Sequence, residues 1–174
     1  MNKPLRYVAA GSAYLAPPLL LVSDILLIQF ISESGLLVQR IALTMFIPAI
    51  AAVVVLARPS ARWQAGAGAA IAILGALAIV IRQGFLAAPI RPPALLFPLG
   101  LLALSAAMMS TTVSRRIAAL IAAGAFLFPL ALMSGLPAAL IGGDVMFIAV
   151  FWWLATQLMR AASPIAVHAG VSRG

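Results

Sequence analysis

The chain has 174 residues, 65% of them hydrophobic and 8% charged, with a mean hydropathy of +1.19; soluble domains are about half apolar and about a quarter charged, so lipid rather than water is the expected solvent. Eleven Lys and Arg against three acids give a net charge of +8, but they stand singly or in pairs between apolar runs, without the basic helix or aromatic platform that would suit nucleic acid. There is no cysteine, and the one histidine, His168, lies in a polar tail; this excludes disulfides, thiolate or paired-histidine ligation and cysteine nucleophiles, and no cofactor or metal is expected.

A helix crosses the hydrocarbon core with about 20 apolar residues, within a range of about 17–25. The first such run covers 7–31. Lys3 and Arg6 precede it as they would in a signal peptide. The run far exceeds the roughly 7–15 residue core of such peptides, however, and Pro17-Pro18 and Asp24 interrupt it. It reads as an uncleaved span. After Ser32-Glu33-Ser34-Gly35 the second run covers 36–57, and Arg58-Pro59-Ser60-Ala61-Arg62 separates it from the third at 65–81. The stretch 82–92, with Arg82 and Arg91, leads to the fourth at 93–110. The connector 111–116 ends in Arg115-Arg116 and leads to the fifth at 117–133. Ser134-Gly135 then leaves the sixth to run as far as 159, starting near Leu136 or, as the less favoured choice, near Asp144.

No period-2 alternation suggests a barrel, and open strands would leave backbone groups unpaired in lipid. The expected fold class is an all-α integral membrane protein. Its single domain over 1–160 is a six-transmembrane-helix bundle packed largely in sequence order through short loops. A flexible cytoplasmic tail over 161–174 follows.

Orientation follows from charge. With the amino terminus inside, the cytoplasmic side collects Lys3, Arg6, Arg58, Arg62, Arg115, Arg116, Arg160 and Arg173, and no acid. The other side and outer membrane half collect Arg40, Arg82 and Arg91 with Asp24, Glu33 and Asp144, which cancel. The split places both termini in the cytoplasm, in a bacterial-type inner membrane, with anionic lipids as partners at the cytoplasmic face. Trp63 and Trp152-Trp153, near cytoplasmic arginines, read as interface anchors.

Few polar residues interrupt the spans. Asp24 lies roughly 10 Å inside the outer end of the first span, counting about 1.5 Å per residue. An ionised carboxylate at that depth costs several kcal/mol unless paired, protonated or wetted. Arg40 starts the second span across a tight hairpin, Arg82 ends the third on the same side, and Asp144 is outer-facing in the sixth. With Gln29 and Gln39 these residues suit an outward-open solute or ion site. They equally suit structural ion pairs and snorkelling arginines, the commoner arrangement.

Pro17-Pro18 near mid-span, with Pro48, Pro98 and Pro129 in other spans, fit either a transporter's broken helices or ordinary kinks, and kinks are the commoner use. Gly68, Ala72 and Gly75 share a face of the third span and should let a neighbouring helix approach closely. A dinucleotide glycine fingerprint is rejected there, because Ile71 stands where a third glycine belongs and no strand precedes it.

No nucleophile–base pair or metal-ligand cluster is visible, so enzymatic activity is not expected. The favoured reading is a non-catalytic subunit or interaction protein, with a membrane-protein partner or homo-oligomer. The alternative is a small-solute or ion transporter built on Asp24, Arg40, Arg82 and Asp144. An enzyme acting on lipid comes last.

Overall fold

Six α-helices make up nearly all of the computed structural model, which describes residues 3–30, 33–57, 59–85, 95–109 and 115–162. They are α1 (Lys3–Phe30), α2 (Glu33–Leu56), α3 (Arg62–Phe85), α4 (Leu96–Met108), α5 (Arg115–Ser134) and α6 (Pro137–Ala162), with a short 3-10 turn at Pro59–Ala61 leading into α3. Four stretches are helical, long and apolar enough to cross a membrane: Lys3–Gln29, Glu33–Val55, Pro59–Ile81 and Pro137–Arg160. α4 is a shorter apolar helix of 13 residues, and α5 has 20 residues and opens on Arg115-Arg116.

The helices overrun several expected connectors. Glu33, Ser34 and Gly35 belong to α2 rather than to a loop. Glu33 occupies its first turn, where a carboxylate faces the positive end of the helix dipole. α3 continues through Arg82 to Phe85, since arginine and glutamine have ample helix propensity and Gly84 falls only in the last turn. α4 is narrower than the expected 93–110; it begins at Leu96, so that Pro98 falls in the first turn, where a missing amide costs nothing. α6 begins at Pro137, next to Leu136 and well before Asp144. The tail beyond 162, with His168 and Arg173, lies outside the described residues, as do Arg58 and Arg91.

Two turns fix the hairpins that matter for the site. Between α5 and α6, Gly135 adopts φ 65° and its N–H donates to the Ala131 carbonyl at 2.9 Å. That left-handed cap lets the chain reverse within two residues. Between α1 and α2, a Cβ on Gly35 would lie 3.1 Å from the Leu27 side chain, so the hairpin closes with no spare room.

Successive helices pack on each other, α1 on α2 through to α5 on α6, and α6 returns to pack on α1. The result is a closed ring. Its interior is lined by alanines with no exposed surface, such as Ala13, Ala16, Ala42, Ala72 and Ala125, around an aromatic centre. Phe46 of α2 meets Phe97 of α4 at 5.9 Å and Phe147 and Phe151 of α6 at 6.2 and 5.1 Å, each edge to face, the geometry that ring quadrupoles favour. These rings fill the axis of the ring of helices. The outside carries Leu5, Val8, Leu74, Leu99, Phe126 and Met133, all more than half exposed, a surface far more apolar than water-facing proteins display.

Candidate functional site

Asp24 of α1 and Asp144 of α6 come together. Each is buried, at 2% and 1% exposure, and their carboxyl groups are within hydrogen-bond reach of each other. The antiparallel register explains the meeting. Asp24 stands six residues before the end of α1, and Asp144 stands seven residues after the start of α6. At about 1.5 Å per residue both lie roughly 10 Å below the rim on which the α1–α2 and α5–α6 hairpins turn.

The two carboxyls are not equivalent. Asp24 Oδ1 accepts a hydrogen bond from Gln39 Nε2 of α2 at 3.1 Å and lies 3.4 Å from Ser23 Oγ. The Ser23 hydroxyl donates its one proton to the Leu20 carbonyl at 2.7 Å, which leaves Gln39 as the effective donor to Asp24. Asp144 accepts from no conventional donor among the described residues. Oδ2 of each carboxyl is buried and has no hydrogen-bond partner. An orphaned oxygen of this kind costs about 1–3 kcal/mol, more if charged.

Of the sequence candidates on α2, it is Gln39 that meets the pair. Arg40 is not among the partners of Asp24, although the hairpin brings its helix close. It lines a hollow of about 480 Å³ with Glu33, Ser34, Leu36 and Leu37. The backbone of Arg82 lies in α3, and its side chain is outside the described residues. Gln29 is exposed. Among the described residues, no three His, Cys, Asp or Glu side chains gather as metal ligands.

Beneath the pair the bundle is filled by buried aromatic rings. Phe147 and Phe151 lie one and two turns beyond Asp144 on α6, and Phe46 lies two turns beyond Gln39 on α2. The carboxyls therefore rest on the aromatic plug, toward the α1–α2 rim.

A second polar contact joins the same two helices farther down. Pro18 has no N–H to offer the Tyr14 carbonyl four residues earlier. Trp152 of α6 supplies one, its Nε1 donating to the Tyr14 oxygen at 2.9 Å, while the two rings lie 6.2 Å apart. The sequence suggested an interface anchor at Trp152. The signal for its actual contact was present, because a carbonyl freed inside an apolar helix needs a donor, and indole is donor-only. α1 stays helical through both prolines.

The small-residue face of α3 packs against α4. A Cβ on Gly68 would fall 2.5 Å from the Leu104 amide nitrogen, and one on Gly75 would overlap the backbone of Phe97. Gly100 of α4 presses in turn on Ala72. On α5 and α6, Gly124 and Gly143 face each other; a Cβ on Gly143 would sit 3.1 Å from the Gly124 carbonyl oxygen, next to Asp144. Compared with models of known families, with curated proteins and with solved structures, the chain matches none.

Proposed function

We propose that this protein is a six-span inner-membrane transporter of a small solute or ion, with Asp24 and Asp144 as the site where cargo or coupling ion binds. One observation carries the reading: two buried carboxyls, from α1 and α6, meet at matching depth, with no arginine among their partners in the described residues. On insertion scales an Asp costs about 2.5–3.5 kcal/mol at the centre of a spanning helix, and these two lie well inside the rim. A bundle that needed only to pack would place leucine at both positions. The competing reading, a non-catalytic subunit or interaction protein, leaves the meeting of the two acids unexplained. A lipid-acting enzyme would need a nucleophile or metal beside them.

The topology belongs to the same proposal. Lys3, Arg6, Arg62, Arg115, Arg116 and Arg160 sit at helix ends that an alternating six-span path brings to one rim, and positive charge marks the cytoplasmic rim. Asp24 and Asp144 then lie toward the outer surface, and the basic rim meets anionic lipid. A reporter fused after Gly174 should be active on the cytoplasmic side; activity outside would remove this topology.

The functional test uses the full chain reconstituted into vesicles. Imposed gradients of protons, sodium, potassium and chloride are followed by internal dyes and by transient currents. Wild-type protein should give a flux above that of protein-free vesicles, and Asp24→Asn and Asp144→Asn should each bring it near background. Flux indifferent to both substitutions would sink the proposal.

A further inference from the structure

The buried pair invites a more specific statement about what it binds, one that rests on the transport reading but can fail separately. Two ionised carboxylates in contact repel each other, and each accepts hydrogen bonds without donating any. Here the contact is fully buried, and each Oδ2 has no donor. Among the described residues, no lysine or arginine is a partner of either acid. On α2, Glu33 and Arg40 are the charged residues of the same helical half as Gln39. The charges of α1, α5 and α6 other than the pair itself are Lys3, Arg6, Arg115, Arg116 and Arg160, all near the far rim. A metal ion would need several oxygen ligands around it, whereas carboxyls already in hydrogen-bond contact leave room between them for a proton.

We infer that Asp24 and Asp144 bind one proton between them, carried by Asp144 and donated to Asp24, and that this proton is the ion the protein moves. The asymmetry of the partners makes the assignment. Asp24 already has Gln39 pointing an N–H at Oδ1, as suits an anion, while among the described residues Asp144 has only Asp24 to bond to and can do so only as an acid. Gln39 is a positioning residue; it holds Asp24 as the acceptor.

Discharge breaks the Asp144 O–H bond. The electron pair stays on oxygen, the proton passes to water admitted from the α1–α2 rim as hydronium, and the pair changes from one negative charge to two. That doubly charged state is tolerable only when wetted, so release and opening of the site go together.

The composition makes the test clean, because the chain has three acidic side chains in all. Infrared spectra of the full-length protein in lipid bilayers at neutral pH should contain one carbonyl band of a protonated carboxylic acid, shifting in heavy water. Asp144→Asn should abolish it. The amide introduced by that substitution can still donate an N–H to Asp24, so the fold has a route to survive, and circular dichroism checks that it does. Asp24→Asn should keep the band at a shifted frequency, since Asp144 then donates to the amide oxygen. Gln39→Leu should shift it too, and Glu33→Gln should leave it unchanged.

A wild-type spectrum without the band overturns the inference and needs no variant to fold. A band that survives Asp144→Asn but disappears in Asp24→Asn overturns the assignment of the carrier. Vesicles that move no protons while the spectra behave as stated would remove the transport reading and leave the bound proton standing. Flux without the band would do the reverse.

Discussion

The seam between α3 and α4 and the seam between α6 and α1 hold helices together by opposite means. The first is made of absences. Gly68, Gly75 and Gly100 bring backbone against backbone until a single added carbon would collide, and the attraction is dispersion over close surfaces. The second adds polar groups to an apolar contact, namely the carboxyl pair and the Trp152–Tyr14 bond. Between apolar helices in lipid there is no hydrophobic drive, so close packing is the general solution. A bundle needing only rigidity would resemble α3–α4 throughout.

Substitutions can widen or erase that contrast. The largest effect should come from Gly75→Leu, which drives a side chain into the backbone of α4; we expect a loss of about 3 kcal/mol or more in detergent unfolding, and a loss under about 1 kcal/mol would mean the seam can yield. Trp152→Phe keeps an aromatic ring but removes the donor to Tyr14, and should cost about 0.6–1.7 kcal/mol. In a Pro18→Ala background, Tyr14 regains a partner from its own helix. There Trp152→Phe should cost about 0.5–1 kcal/mol less, measured as a double-mutant cycle; equal costs in both backgrounds would mean that Pro18 is irrelevant to the bond. Smallest of all, Asp144→Asn should change unfolding stability by less than about 1 kcal/mol, because the amide can donate where the acid did. Its effect belongs to flux, and a large destabilisation would recast the pair as structural.

Hydropathy located the helices because lipid imposes a length on apolar runs, and Ser134-Gly135 announced the last hairpin correctly. It misjudged connectors such as Glu33 to Gly35, since polarity at a helix end looks the same whether the residue closes a turn or begins the next helix. Asp24 stood out as costly, but its neighbours did not follow from order in the chain. Gln39 and Arg40 are adjacent, about 100° apart around α2, and which of them turns toward Asp24 depends on the rotation of the helix, set by Gly35 and the alanines of the interface. Asp144 could be matched to Asp24 in depth from sequence. Their contact needed the closure of α6 onto α1, which no local pattern encodes.

That closure has a mechanical corollary. Five of the six junctions in the ring join helices that follow one another in the chain, so each is tethered at one end by a connector. The α6–α1 junction alone has no connector, so on the transport reading it is the edge expected to part, like an unlatched door, while the rest of the wall stays put. Asp24, Asp144, Tyr14 and Trp152 all stand along its edge. A cysteine introduced on each leaf, in a chain that has none of its own, would bolt it shut on oxidation. Flux should then stop until a reductant is added, and flux that continued through the bolted form would show that the opening is elsewhere.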